Sequence, residues 1–234
     1  MKTQAVIFFS ILILLIGFYI IRTKGDDVDI NTPLPLKIWT KNNNDLPIIF
    51  YLSGDAGIGP FSSKICTNLH QNGYDIYALN SKVYYWNKQD PKNTAEVISQ
   101  YLEKIFKNHS NQKIIFIGYS FGSDVLPFII NNLPKNTTNR IENIILLDPY
   151  ESADFEIYYK NLIFESVSGQ WQTIPAINQL PPIKLSIILS DYGEKYPYNK
   201  INHHKNIIHL GGNHHFNRDY KLVTKTILNQ IEKY

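Results

Sequence analysis

The sequence predicts a doubly wound α/β domain on a mostly parallel sheet, and three observations carry that expectation. Short β-rich apolar runs alternate with segments whose apolar residues recur at helical spacing. The strand runs are apolar without alternation, as strands covered on both faces must be. The composition, 234 residues with 44% hydrophobic and 18% charged, suits one globular domain with a sizeable core. Disorder and fibrous repeats are thereby excluded. A net charge of +3, from 23 basic and 20 acidic residues scattered along the chain, argues against a nucleic-acid partner. The single cysteine, Cys66, can make neither an internal disulfide nor a cysteine-rich metal site.

The first segment is Ala5–Ile21 (AVIFFSILILLIGFYII), uncharged and flanked by Lys2, Arg22 and Lys24. As a helix it would span about 25 Å, enough to cross a bilayer with snorkelling flanks. Residues 1–24 therefore read as a membrane anchor or a signal segment. The bulky residues Tyr19 to Arg22 leave no small-x-small cleavage site, which favours the uncleaved anchor. Residues 25–34 are polar, acidic and proline-bearing, a linker to the domain at 35–234. Strands are expected at Leu36–Thr40, Pro47–Leu52, Tyr74–Asn80, Lys113–Ile117, Ile141–Leu147, Ile183–Leu189 and Lys205–Leu210. Ala95, Ile98, Leu102, Ile105 and Phe106 mark one helix, and Tyr220, Val223, Ile227, Leu228 and Ile231 mark the last. Residues 149–182 lack a clean period and read as a cap-like insertion over the sheet edge.

After the strand at Lys113–Ile117 comes Gly118-Tyr119-Ser120-Phe121-Gly122, and a helical pattern follows it. G-x-S-x-G between a strand and a helix is the signature of a nucleophile elbow, in which the glycines let a strained turn present the serine. This fold, the α/β-hydrolase fold, orders its triad as serine, acid, histidine. Gly211-Gly212-Asn213-His214-His215, after the last strand, offers His214 as general base and His215 as its alternate. For the acid, the loop after Ile183–Leu189 offers Asp191, with Glu194 as alternate; Asp148 and Asp154 rank below them. The oxyanion donors are expected to be the backbone N–H of Phe121 and one from Asp55 or Ala56 in Ser53-Gly54-Asp55-Ala56-Gly57. Asp55, His214 and His215 lack a third ligand at a recognisable spacing, so neither metal nor cofactor is expected.

These motifs carry a resemblance. Ser53-Gly54-Asp55, the run from Ser81 to Trp86, the eleven residues Gly118 to Phe128, Ala153 to Ile157, and His214-His215-Phe216 with Asp219-Tyr220 follow the order found in the bacterial VirJ/AcvB virulence protein family. The resemblance implies an α/β-hydrolase on the periplasmic side of the bacterial inner membrane, or free in the periplasm if the first segment is cleaved. It also implies an esterase acting on an aminoacylated phospholipid such as lysyl-phosphatidylglycerol, and an association with secretion-system or envelope proteins. The chain departs from the family at Ala56, Ile58 and Asn80. Tyr84, Tyr85 and Trp86 are candidates for an acyl or headgroup pocket, although aromatics that follow a strand more often pack under a loop. Asp124 and Asp154 are either partners for a cationic aminoacyl group or buried carboxylates that anchor the cap. The principal reading is a membrane-tethered serine hydrolase of a lipid ester. Its alternative is an inactive hydrolase fold serving as an adaptor in an envelope complex.

Overall fold

In the computed structural model, which describes residues 33–43, 45–107, 111–157 and 169–232, the seven expected strand runs join one sheet. They are β1 (Leu36–Trp39), β2 (Ile48–Leu52), β3 (Ile76–Leu79), β4 (Ile114–Tyr119), β5 (Ile141–Leu147), β8 (Lys184–Leu189) and β9 (Lys205–His209). Their spatial order is β1-β3-β2-β4-β5-β8-β9. All neighbours run parallel except β1, which lies antiparallel to β3. That arrangement is the α/β-hydrolase sheet. Its parallel strands all end on one side, and the loops leaving those ends carry the chemistry.

The absence of alternation in the strands has a direct cause. In β2, Ile48, Phe50 and Leu52 face one core while Ile49 and Tyr51 face the other. The first core is covered by α3 (Pro91–Phe106) and α4 (Phe121–Asn132), the second by α1 (Pro60–Gln71) and α7 (Tyr220–Glu232). Local chemistry starts the helices where the sequence allows. Asp90 accepts hydrogen bonds from the N–H groups of Lys92 and Asn93 just ahead of Pro91. Asn80 caps the short α2 (Ser81–Tyr84) by accepting from Val83 N–H.

The insertion after β5 forms a small antiparallel pair, β6 (Ser152–Ala153) with β7 (Trp171–Gln172), and then α6 (Thr173–Asn178). It packs on α4 rather than over the sheet edge: Phe155 and Trp171 meet Phe128, and Asn131 Nδ2 donates to the Ala176 carbonyl. Between α4 and β5 lies α5 (Lys135–Thr138). Ala5–Ile21 and most of the linker lie outside the described residues. Among the described residues no helix is long and apolar enough to cross a membrane.

Candidate active site

Ser120 sits between β4 and α4 with φ +51 and ψ −124, a conformation that L residues rarely adopt. The two flanking glycines make it possible. A Cβ on Gly118 would lie 2.6 Å from the Gly122 carbonyl oxygen, and one on Gly122 would lie 2.3 Å from the Leu52 carbonyl oxygen. The turn is pinned to β5 from both sides. Ser120 N–H donates to the Leu147 carbonyl, while the Ser123 hydroxyl donates to that carbonyl and accepts from Leu147 N–H.

His214 Nε2 lies 2.8 Å from Ser120 Oγ, and His214 Nδ1 lies 2.6 Å from Asp148 Oδ2. A carboxylate oxygen accepts, so Nδ1 carries the proton and Nε2 turns its lone pair to the serine hydroxyl. Asp148, at the end of β5, is 1% exposed and has φ +53. Ser190 N–H donates to its Oδ1 and the Ser190 hydroxyl to its Oδ2. Gly193 lies flat against the same carboxylate, where an added Cβ would come within 2.1 Å of Oδ1.

The acid partner of His214 is therefore Asp148, correcting the expectation of Asp191. Asp191 stands at the expected strand end but turns to the glycine loop: its Oδ2 accepts from Gly212 N–H, and its N–H donates to the Gly212 carbonyl. Glu194 is exposed in a 3₁₀ turn, Tyr192–Lys195. His215 Nδ1 lies 2.5 Å from the Tyr119 hydroxyl, and it is His214 that meets Ser120. Burial, followed by the charges of His214 and Arg218, pushes the His215 imidazole below its usual range.

The oxyanion region assembles around the same serine. Phe121 occupies the first helical position of α4, where no intrahelical acceptor exists for its N–H. An added Cβ on Gly54 would lie 3.4 Å from the Tyr119 ring and 3.5 Å from Ser120 Cβ, so the Gly54-Asp55-Ala56 loop reaches the nucleophile through glycine. Ser81 locks that loop in place. Its N–H donates to Ser53 Oγ and its hydroxyl to the Ser53 carbonyl.

Of the two roles open to the aromatic run, Tyr85 takes packing under the loop. Tyr85 is fully buried and packs on Phe121 and Phe155, so it supports the elbow from below instead of lining a pocket. Tyr84 and Trp86 are half-buried, and Tyr84 packs edge-on against Tyr85. Asp124 anchors the start of the insertion by accepting from Tyr150 N–H at 2.6 Å; burial, with Asp55 and Asp148 nearby, pushes its carboxyl well above the usual carboxylate range. Asp154 accepts from Gln170 N–H and so ties the residue that follows β6 to the one that precedes β7.

Residues that the sequence did not single out complete the site. The His214 ring is surrounded by those of Tyr119, Tyr150 and Tyr192, with centroids 5.4–5.7 Å away. Beside Asp148 lies a cavity of about 420 Å³ whose walls include Tyr150, Glu151, Asp191, Tyr192, Lys195 and Tyr196.

Residues 45–234 match the family model described as bacterial virulence protein (VirJ). The chain belongs to the VirJ family. Comparison with curated proteins finds no match. Among solved structures, this VirJ-family chain is similar to the α/β-hydrolase GrgF from Penicillium sp. sh18, with a TM-score of 0.63 and 11% identity over 86% of this chain and 94% of that one. It is similar to Est1E from Butyrivibrio proteoclasticus (TM-score 0.55, 12% identity, 84% of this chain and 93% of that one). MenH from S. aureus gives a TM-score of 0.57 at 14% identity over 85% and 98% of the two chains. At these identities the likeness establishes the α/β-hydrolase fold.

Proposed function

We propose that this VirJ-family chain is a serine hydrolase of the cell envelope that cleaves an aminoacyl ester carried by a phospholipid, such as lysyl-phosphatidylglycerol. The observation that carries the reading is the continuous hydrogen-bonded line from Asp148 through His214 to Ser120 on a strained elbow. Ser120 Oγ attacks the ester carbonyl as His214 Nε2 takes its proton. The resulting oxyanion accepts from Phe121 N–H and an N–H of the Gly54–Ala56 loop. His214 then returns the proton to the departing lipid alkoxide, leaving an acyl-enzyme. Water, deprotonated by the same nitrogen, attacks that acyl group; its collapse releases the amino acid and restores the Ser120 hydroxyl.

Two features support the substrate class. Glu151 and Asp191, with Lys195 as the one basic residue among the walls, make the cavity beside Asp148 suited to an ammonium group resting against tyrosine faces. The antiparallel direction of β1 also means that the chain enters the domain at the sheet end bearing Ser120. Leu36 pairs with Leu79, and the Pro35 carbonyl accepts from Asn80 N–H. An anchor formed by Ala5–Ile21 would thus attach the domain to the bilayer, in the inner membrane with the domain periplasmic, on the side of its catalytic mouth.

Full-length protein reconstituted in phosphatidylglycerol vesicles containing lysyl-phosphatidylglycerol tests the reading through release of free lysine. Ser120→Ala is expected to lower kcat by about 10³-fold or more. Glu151→Gln is expected to raise KM several-fold for the lysyl lipid while leaving the rate on a neutral soluble ester within about twofold. Lysine release by Ser120→Ala at the wild-type rate overturns the proposal. A folded wild-type chain that releases no lysine and cleaves no soluble ester favours the adaptor reading.

A further inference from the structure

The loop that carries His214 is built in an unfavourable backbone conformation. Gly211 and Gly212 have φ of +71 and +83, and the non-glycine residues Phe216, Asn217 and Arg218 have φ of +50, +52 and +60. Left-handed non-glycine residues persist only where their surroundings hold them. Part of the bracing is internal: Asn213 Oδ1 accepts from the N–H groups of His215 and Asn217, and Asn217 Oδ1 accepts from Asn213 N–H. Asp191 holds the far end of the loop at Gly212. Besides the bonds of the His214 ring to Asp148 and Ser120, the hydroxyl of Tyr119, which precedes Ser120 on β4, attaches the loop near the nucleophile.

Tyr119 Oη lies 3.2 Å from the His214 carbonyl oxygen and 2.5 Å from His215 Nδ1. A carbonyl oxygen can only accept, so the one phenolic proton goes to His214, and His215 Nδ1–H donates to the phenol. The directions form one line: His215 N–H to Tyr119 O–H to the His214 carbonyl. Phe61 encloses it, with its ring 4.5 Å from Tyr119 and 5.9 Å from His215, centroid to centroid. Burial, then the nearby Asp148 and Asp55, pushes the Tyr119 phenol above its usual range, so it keeps its donor proton throughout the working range of a histidine base.

We infer that Tyr119 and His215 are positioning residues: through this line the residue before the nucleophile holds the backbone of the general base, so that Nε2 stays within reach of Ser120. The inference rests on the serine-hydrolase reading of the site. One consequence is that His215 serves the base without exchanging a proton with substrate. Another is that the second histidine of the His214-His215 pair is needed for its Nδ1 donor and not for its charge.

Steady-state kinetics of the full-length chain on a soluble p-nitrophenyl ester, with melting curves in parallel, test the inference. Tyr119→Phe keeps the ring and removes the hydroxyl. It is expected to lower kcat about tenfold with KM within about twofold, because the base is displaced and binding is untouched. His215→Leu is expected to do the same, whereas His215→Asn, whose amide can donate from the place of Nδ1, recovers most of the loss. The double variant Tyr119→Phe/His215→Leu is expected to be no slower than Tyr119→Phe alone, since both act on one line. A Tyr119→Phe kcat within twofold of wild type overturns the inference, as does a His215→Asn variant as slow as His215→Leu. If Tyr119→Phe keeps full kcat while Ser120→Ala is inactive, this inference fails alone; if Ser120→Ala remains active, the hydrolase reading fails.

Discussion

Asp148→Asn is expected to lower kcat on a soluble ester by about 10³- to 10⁴-fold with little loss of stability. The magnitude follows from a forced tautomer. Ser190 N–H can only donate, so the amide oxygen of an asparagine at 148 takes the place of Oδ1. Its NH₂ then occupies the place of Oδ2 and donates to His214 Nδ1, which must become the acceptor. The imidazole proton moves to Nε2, where it faces Ser120 and no lone pair remains to take the serine proton. Asp191→Asn removes a charged acceptor from Gly212 N–H at an exposed site and is expected to cost less than about tenfold. Paired kcat and melting measurements on the two variants separate the roles. Equal losses would show that Asp148 does not act as the triad acid.

Gly122→Ala has the largest expected effect on folding. The new methyl would stand 2.3 Å from the Leu52 carbonyl and 2.7 Å from the Ser53 carbonyl, both backbone atoms at the end of β2. Relief requires moving that strand end, and with it the loop that approaches the oxyanion. An overpacked core site costs about 1–3 kcal/mol or more, and a domain of this size loses about 2–4 °C of Tm per kcal/mol. A Tm lower by roughly 5–10 °C, or no folded protein, is the expected result. Gly59→Ala is the control, since an added Cβ there meets nothing within 4 Å. Alanine is a poorer N-cap than glycine at the start of α1, so the Tm of this variant is expected to fall by no more than about 4 °C.

Much of this architecture was legible in the chain because the signal was local. The apolar runs at Ile48–Leu52 and Ile141–Leu147 had to be strands buried on both faces, and the glycines around Ser120 had to permit a strained elbow. The direction of β1 was not legible, because four residues carry no mark of parallel or antiparallel pairing. The acid is hidden in the sequence for a related reason. Asp148 and Asp191 both stand where the chain leaves a strand, and choosing between them depends on side-chain direction. That direction is set by the φ of +53 at Asp148 and by the Ser190 and Gly193 contacts across the sheet. The Ser190-Asp191-Tyr192-Gly193 run did hold a signal, in its serine and glycine rather than its aspartate. Tyr85 takes the packing role, one of two that the sequence leaves open, because an aromatic after a strand reads alike whether it lines a pocket or supports the turn above it. The bond from Tyr119 to the His214 carbonyl spans 95 positions and depends on a packed β4 end, so spacing alone could not reveal it.

The central claim, that Ser120 is a nucleophile activated by His214 and Asp148, is tested most directly by treating the folded full-length chain with a fluorophosphonate and mapping the adduct by mass spectrometry. One phosphonylated peptide, carrying Ser120, is expected; it is absent in Ser120→Ala and forms far more slowly in Asp148→Asn. A chain that keeps its native melting transition yet takes up no label at Ser120, or one labelled equally well when Asp148 is asparagine, would contradict it.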